Sequence, residues 1–360
     1  MKIVTVVGAR PQFIKAAVIS SELGKLRSDA VTEVLVHTGQ HYDDELSDVF
    51  FRELEIPCAS VNLRIGSDSG GAQTGRMLEA LEHVLRREQP EWVLVYGDTN
   101  STLAGALAAA YQGVPVAHVE AGLRSFNRQM PEEVNRVLTD HLAELLFCPT
   151  PAAVENLRRE GITSGVHAVG DVMYDCLLRY ADWAEKASPL MERFGVTAKG
   201  FFLATVHRAE NTDDPGRLAS ITRALARVHE TLGPVIWPLH PRTRKAMAAL
   251  GGIEPGSVRL TSPLSYLDLQ SLMANARCVL TDSGGIQKEA VLHRVPCVTL
   301  RGETEWVETV ALGCNVLVSA DESAIVEAAA EACFPADGPP ADLYGNGQAG
   351  RKIIEILRAS

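Results

Sequence analysis

The chain is short of features that mark several protein classes. No apolar run reaches the ~18 residues a membrane helix needs. The opening Met1-Lys2-Ile3-Val4-Thr5-Val6-Val7 is broken at once by Gly8-Ala9-Arg10-Pro11, so it reads as a first strand rather than a leader, and a cytoplasmic address is expected. Seven cysteines, at 58, 148, 176, 278, 297, 314 and 333, form no Cys-x-x-Cys pair. Their odd number and apolar surroundings, as in Val295-Pro296-Cys297-Val298-Thr299, read as free thiols packed in a core in a reducing compartment. There is no excess of basic residues: the net charge is −11, which argues against a nucleic-acid partner. The histidines are scattered, and no metal site is expected from them. No Walker sequence and no Gly-x-Ser-x-Gly elbow occur, which turns the reading away from ATP and from serine hydrolases.

What is present is a chain of 360 residues, 46% hydrophobic and 22% charged, long enough for two ordinary domains. Short β-branched runs alternate with longer amphipathic segments. Strands are predicted at 3–7, 31–37, 92–96, 114–119, 145–148 and 166–169, with helices at 11–26, 71–87, 101–112 and 131–143 between them. The scheme repeats with strands at 201–205, 235–238, 258–261, 278–280, 297–300 and 315–318, and helices at 215–232 and 265–276. Residues 171–200 read as a helix and a linker, and 350–359 as a last helix. Such alternation implies parallel sheets covered on both faces, hence two doubly wound α/β domains facing a cleft. Ligands of such sheets bind beyond the carboxyl ends of the strands, so polar motifs just after strands are the candidates.

Seven motifs stand there. Gly8-Ala9-Arg10-Pro11-Gln12-Phe13-Ile14-Lys15 follows the first strand; it is not a dinucleotide fingerprint, but Arg10 and Lys15 bring positive charge to a helix start. Asp98 follows the 92–96 strand in Tyr96-Gly97-Asp98-Thr99-Asn100, as a site residue or as a helix cap. Glu120 emerges from an apolar strand in His118-Val119-Glu120-Ala121-Gly122-Leu123-Arg124; an acid there needs a function or a partner, and Arg124 is the structural candidate for the latter. Pro131-Glu132-Glu133-Val134-Asn135-Arg136 places two acids in one helix's first turn, where the dipole accounts for one more readily than for both. In the second half, His207 stands in Thr205-Val206-His207-Arg208-Ala209-Glu210, and His240-Pro241-Arg242-Thr243-Arg244 adds positive charge. The most specific motif is Thr281-Asp282-Ser283-Gly284-Gly285-Ile286-Gln287-Lys288-Glu289. Its Ser-Gly-Gly turn opens a helix whose backbone N–H groups suit a diphosphate, and Glu289 can accept from both hydroxyls of a ribose.

In this order, from Gly8-Ala9-Arg10-Pro11 to Tyr344-Gly345-Asn346-Gly347, the motifs resemble the non-hydrolysing UDP-N-acetylglucosamine 2-epimerase family. The resemblance implies a GT-B fold: 1–172 a Rossmann-like domain with the catalytic carboxylates, 173–345 a Rossmann-like UDP-binding domain, and 346–360 a helix crossing back to the first. It implies a homodimer with no cofactor, whose partner molecule is a UDP-sugar. Asp98, Glu120 and Glu132 match the family's catalytic carboxylates. Arg10, Lys15, His207, Ser283, Gly284, Gly285 and Glu289 match its substrate and UDP contacts. The candidate set is therefore Asp98, Glu120, Glu132 and His207 for catalysis, and Arg10, Lys15, Arg136, Arg208, His240, Arg242, Ser283, Gly284, Gly285 and Glu289 for binding. The implied chemistry eliminates UDP to a 2-acetamidoglucal and adds it back with carbon 2 inverted.

The resemblance has departures. Where common members read Arg-x-x-Thr-Glu-Arg-Pro-Glu, this chain has Arg301-Gly302-Glu303-Thr304-Glu305-Trp306-Val307-Glu308, so Trp306 replaces an arginine assigned to UDP. Leu269 replaces an aromatic residue beside the uracil. Gly-Ala-Arg-Pro-Gln-Phe-Ile-Lys, His-Pro-Arg-Thr-Arg and Thr-Glu-Trp-Val-Glu are more similar to the branch acting on UDP-2,3-diacetamido-2,3-dideoxyglucuronate, whose extra carboxylate Arg242 or Arg244 would meet. Rival readings are a hydrolysing 2-epimerase, a GT-B glycosyltransferase and a sugar-nucleotide sensor. Wash-in of solvent deuterium at carbon 2 separates the last two from an epimerase.

Overall fold

The apolar runs do form strands, and the central ones are buried on both faces as a parallel sheet requires. The structure, a computed structural model, describes residues 1–26, 31–40, 53–180, 188–249, 256–338, 340 and 343–360. The chain divides into two compact units, 1–179 with 341–360, and 180–340. Together they give the α/β GT-B fold class.

In the first unit the strands are β1 (Lys2–Val7), β2 (Thr32–His37), β3 (Val61–Asn62), β4 (Trp92–Tyr96), β5 (Val116–Val119), β6 (Leu145–Cys148) and β7 (Val166–Ala168). All pair in parallel in the order β3-β2-β1-β4-β5-β6-β7. The order reverses between β1 and β4, so the segments after these two strands diverge and leave a crevice. One face of the sheet packs Val4, Val6, Val34, Val36, Val93 and Val95 against Met77, Leu81, Val84 and Leu85. Those four recur at helical spacing on the helix Gly70–Glu88, whose other faces are largely exposed. The two-residue edge strand β3 was not foreseen; it is too short to leave an alternating pattern.

The second unit repeats the winding with β8 (Phe202–Thr205), β9 (Val235–Pro238), β10 (Arg259–Thr261), β11 (Cys278–Thr281), β12 (Cys297–Thr299) and β13 (Asn315–Leu317), in the parallel order β10-β9-β8-β11-β12-β13. Alternate residues feed two cores. Phe202, Ala204, Trp237 and Leu280 pack on the side of the helices Pro215–Thr231 and Glu322–Glu331; Phe201, Leu203, Ile236 and Val279 pack on the side of Tyr266–Asn275. Here the order reverses between β8 and β11.

The unit boundaries differ from the sequence-based 172/173 and 345/346. The helix Val172–Arg179 stays with the first unit because it packs on the helices Arg10–Gly24 and Ala349–Ala359. Of the helix and linker expected across 171–200, the helix is Val172–Arg179, a second short helix follows at Ser188–Arg193, and 181–187 lie outside the described residues. Ahead of Ala349–Ala359, residues 345–350 spell Gly-x-Gly-x-x-Gly. They follow no strand, and the Asp175 carboxylate accepts the Gly350 N–H at 2.8 Å, so this stretch lacks the strand–turn–helix context of a dinucleotide fingerprint.

His293 caps the carboxyl end of the helix Gly284–Leu292 and bonds Gln270 Oε1 at 2.7 Å. Burial pushes its pKa down to about 4, helped by the charge of Lys199. Between pH 6.5 and 4 the unfolded ring binds a proton that the native ring refuses, so native stability falls as pH falls through that window. We expect urea denaturation of the wild type to lose on the order of 3 kcal/mol more across this window than that of His293→Gln.

Candidate active site

Each unit gathers charge at its own strand-order reversal. In the first unit, Gln12 joins the two diverging segments. Its Oε1 accepts the Gly8 and Ala9 N–H groups at 2.8 and 3.0 Å, and its Nε2 donates to Tyr96 O and Thr102 Oγ1 at 2.9 and 3.0 Å. With all four bonds made, the loop after β1 is pinned to the end of β4. Sequence reading quoted Gln12 in its motif but gave it no role.

Lys15 and Glu120 meet across this floor, Nζ to Oε1 at 2.6 Å, both nearly buried. Lys15 was read as a phosphate contact and Arg124 as the structural partner of Glu120. The structure gives Glu120 to Lys15, while Arg124 bonds Asp140 at 2.7 Å and grips Glu160 with two bonds of 2.7 Å. Truncating either member of the Lys15–Glu120 pair strands a buried charge, a loss of about 3–5 kcal/mol in comparable cases. Glu120 has φ of 72°, a left-handed conformation uncommon for a residue with a Cβ; its own N–H and that of Ala121 both donate to Phe147 O at 3.1 Å, which holds it there.

Asp98 is paired with Arg136, whose other nitrogen bonds Glu133 at 2.8 Å. Asp98 is not the helix cap: Thr99 takes that place for the helix Asn100–Tyr111. Asn135 adds a bond of 2.9 Å to Asp98 O. The two acids at the start of the helix Pro131–Leu142 now separate. Glu133 is buried and accepts from Ser125 N, Ser125 Oγ, Phe126 N and Arg136, so it holds the preceding loop; Glu132 is half-buried beside it. Arg10 is the first, half-buried residue of the helix Arg10–Gly24.

Gly97 stands between the two ion pairs. Its φ is 62°, and a methyl group built on it would lie 3.2 Å from Lys15 Nζ and 3.6 Å from Glu120 Oε1. Glycine is needed there for both conformation and space. Behind it His118, fully buried, places Nε2 2.7 Å from Gly97 O and Nδ1 2.7 Å from Asp140 Oδ1. Burial raises the Asp140 pKa, but the charges and bonds of His118 and Arg124 outweigh it and leave this carboxylate below the usual range.

In the second unit the buried Asp282 accepts the N–H groups of His207 and Arg208 at 3.0 Å and Asn211 Nδ2 at 3.1 Å. It thereby sets the loop after β8 against Ser283, which precedes the helix Gly284–Leu292. His207 Nδ1 is 3.4 Å from Asp282 Oδ1, and its ring tilts over His240 at 5.5 Å between centroids. His240 Nδ1 accepts the Arg242 N–H at 3.2 Å; the Arg242 guanidinium is held by Asp213 at 2.6 and 2.7 Å and by Thr212 at 2.9 Å. Gly285 is exposed with open space where a side chain would be, and Glu289 is buried further along the same helix. Glu305 Oε1 fills the place of any Gly284 side chain and Glu305 pairs with the buried Arg301 at 3.1 Å. Trp306 is buried, its face 4.3 Å from the buried Lys288 ammonium. Asp140, His118, Asp282 and Lys288 were the functional neighbours that sequence reasoning left unassigned. Asp282 and Lys288 lie inside a recognised motif, so position was the available signal; Asp140, mid-helix, gave none. Among the described residues no group of three or more His, Cys, Asp or Glu is arranged to hold a metal ion.

Paired acids and bases at one reversal, and a Ser-Gly-Gly helix start with a following glutamate at the other, define a sugar-nucleotide enzyme of the GT-B class. The family profile of UDP-N-acetylglucosamine 2-epimerases matches residues 25–358, and the chain belongs to that family; it is an isomerase of the UDP-sugar 2-epimerase type. It is 50% identical to a UDP-N-acetylglucosamine 2-epimerase homolog of Methanococcus maripaludis and 49% identical to the UDP-2,3-diacetamido-2,3-dideoxy-D-glucuronate 2-epimerase of Pseudomonas aeruginosa, each over 99% of both chains. The crystal structure of the Methanocaldococcus jannaschii UDP-GlcNAc 2-epimerase in complex with UDP-GlcNAc and UDP matches all of both chains at 40% identity and a TM-score of 0.94.

The position of Gly97 yields a test. Gly97→Ala adds a methyl group at a left-handed position against the Lys15–Glu120 pair, next in sequence to Asp98. Strain there costs about 1–2 kcal/mol of stability, whereas displaced carboxylates lower turnover by about 10²-fold. Steady-state kinetics alongside thermal melting check this; turnover falling no further than melting accounts for would remove Gly97 from the site.

Proposed function

We propose that this enzyme inverts carbon 2 of UDP-2,3-diacetamido-2,3-dideoxyglucuronate, by anti elimination of UDP to a 2-acetamidoglucal and its re-addition. The observation that carries the reading is the pair of ionic contacts flanking Gly97, Lys15–Glu120 and Asp98–Arg136. Carbon 2 has no adjacent carbonyl, so its proton leaves only as the bond to UDP breaks. Loss of UDP builds oxocarbenium character, which nearby carboxylates stabilise. One acid removes the proton and another delivers one from the opposite face, a division among Asp98, Glu120 and Glu132. His207, Arg208 and His240 with Ser283, Gly284, Gly285 and Glu289 hold UDP, the diphosphate on the helix start and the ribose on Glu289. Arg10, Lys15 and Arg136 balance charge around the sugar.

The substrate assignment rests on identity and on Trp306. The Pseudomonas enzyme named for the diacetamido sugar shares more positions with this chain than the Methanocaldococcus enzyme does. Trp306, buried under Lys288, offers no guanidinium to a phosphate. The sugar's extra carboxylate would meet Arg242 or Arg244, with Arg242 exchanging its present partner Asp213. The active form is a cytoplasmic homodimer. Val134 and Leu138, one turn apart on the helix Pro131–Leu142, and Tyr111 expose apolar surface that a second copy would cover. Among the described residues no helix is long and apolar enough to cross a membrane.

Proton NMR of each UDP sugar in deuterated water tests the chemistry and substrate together. The diacetamido-glucuronate should be epimerised with deuterium entering carbon 2, and UDP-N-acetylglucosamine turned over at least ~10²-fold less efficiently. Efficient use of UDP-N-acetylglucosamine alone would overturn the substrate, and accumulation of free UDP would favour hydrolysis. Asp98→Asn and Glu120→Gln should each lower kcat by about 10²–10⁴-fold with UDP binding retained. For the dimer, Leu138→Glu should shift sedimentation toward a single chain.

A further inference from the structure

The buried histidine of the His-Val-Glu-Ala-Gly-Leu-Arg motif touches none of the candidate substrate contacts, yet both its ring nitrogens are tightly engaged. Gly97 O is a carbonyl and can only accept. Asp140 already accepts the Gly122 N–H at 3.1 Å and an Arg124 N–H at 2.7 Å through Oδ2, so it meets the ring as a carboxylate and also accepts. Two acceptors at 2.7 Å leave the ring no choice but to donate on both sides. The groups facing it are Asp140 on the helix Pro131–Leu142, Arg124 on the loop after β5, and Glu160, which neutralises the far side of Arg124. Cys148 on β6 lies close to Asp140; burial and that carboxylate push its thiol up to about 12, so it stays neutral.

We propose that His118 is a positioning residue: with both ring protons in place, it locks the carbonyl of Gly97 to Asp140, and so holds the turn bearing Asp98 in register with the strand end bearing Glu120. Gly97 is the residue before Asp98, and its N–H donates to Val119 O at 2.9 Å, next to Glu120. Asp140 takes the Gly122 N–H, two residues beyond Glu120. Both carboxylate-bearing segments thus close on one charged chain, Gly97–His118–Asp140–Arg124–Glu160. A neutral ring would turn one nitrogen lone pair on an acceptor and release one of the two segments. This inference rests on the epimerase reading for its kinetic consequence, but the state of the ring does not.

The test has two arms. ¹⁵N-histidine labelling of the wild-type protein should show two bonded ring N–H groups for His118, assigned in the wild type by through-bond correlation along its side chain and through-space contacts to Gly97 and Asp140. A single ring N–H overturns the proposal whatever the enzyme's activity and whether or not any variant folds. In the second arm His118→Gln and Asp140→Asn are assayed for epimerisation and UDP affinity. We expect kcat to fall by about 10²-fold through misplacement of the carboxylates, with KM and the UDP dissociation constant within about threefold of wild type. Turnover within about threefold of wild type, or a fall only in proportion to lost UDP binding, overturns it. Failure of the epimerase reading is visible separately, as absence of carbon 2 exchange in the wild type.

Discussion

A fully buried carboxylate that must be satisfied organises each unit. Asp140 in the first and Asp282 in the second have no access to water, and a charge so placed persists only with donors on every side. The donors of Asp282 come from the segment after β8, at the strand-order reversal; those of Asp140 come from β5 and the loop that follows it. Asp282 takes the backbone N–H groups of His207 and Arg208 and the amide of Asn211. Asp140 takes His118, Arg124 and the Gly122 N–H. In both units the cost of burying the charge enforces the geometry of the loops that carry the exposed chemistry.

The parallel sheet explains why the chemistry lies where it does. Side chains along β1, β4, β5, β8 and β11 are buried on both faces, so a polar group has nowhere to stand until the strand ends. Asp98, Glu120 and His207 each come within two residues of such an end. The first unit then treats its two carboxylates differently. Glu120 sits in a strained backbone position against a buried lysine, and Asp98 on a turn against an arginine that Glu133 also holds. Two acids with different partners are what a reaction needing proton removal on one face and delivery on the other requires.

In the second unit the departure at Trp306 has a packing consequence. Trp306 does not stand in solvent where an arginine would reach a phosphate; it is buried as a platform for Lys288, next to the Arg301–Glu305 pair. Lys288 stands on the helix Gly284–Leu292, while Trp306 precedes the helix Val307–Ala311.

The residue pattern alone determined the winding of both domains and the candidate carboxylates, because short continuous apolar runs, helix starts and strand-end acids are local properties. It determined Glu289 and the Ser-Gly-Gly turn for the same reason. Pairing was decided only in three dimensions. Arg124, four residues from Glu120, looked its natural partner; Lys15, more than a hundred residues away, holds it, because β1, β4 and β5 lie side by side in the sheet and bring the helix Arg10–Gly24 near the end of β5. Which of Glu132 and Glu133 is structural, and why His118 and Asp140 are needed at all, likewise depended on what folding brought against them. Burial assigns a polar group its partners, and burial belongs to the tertiary structure.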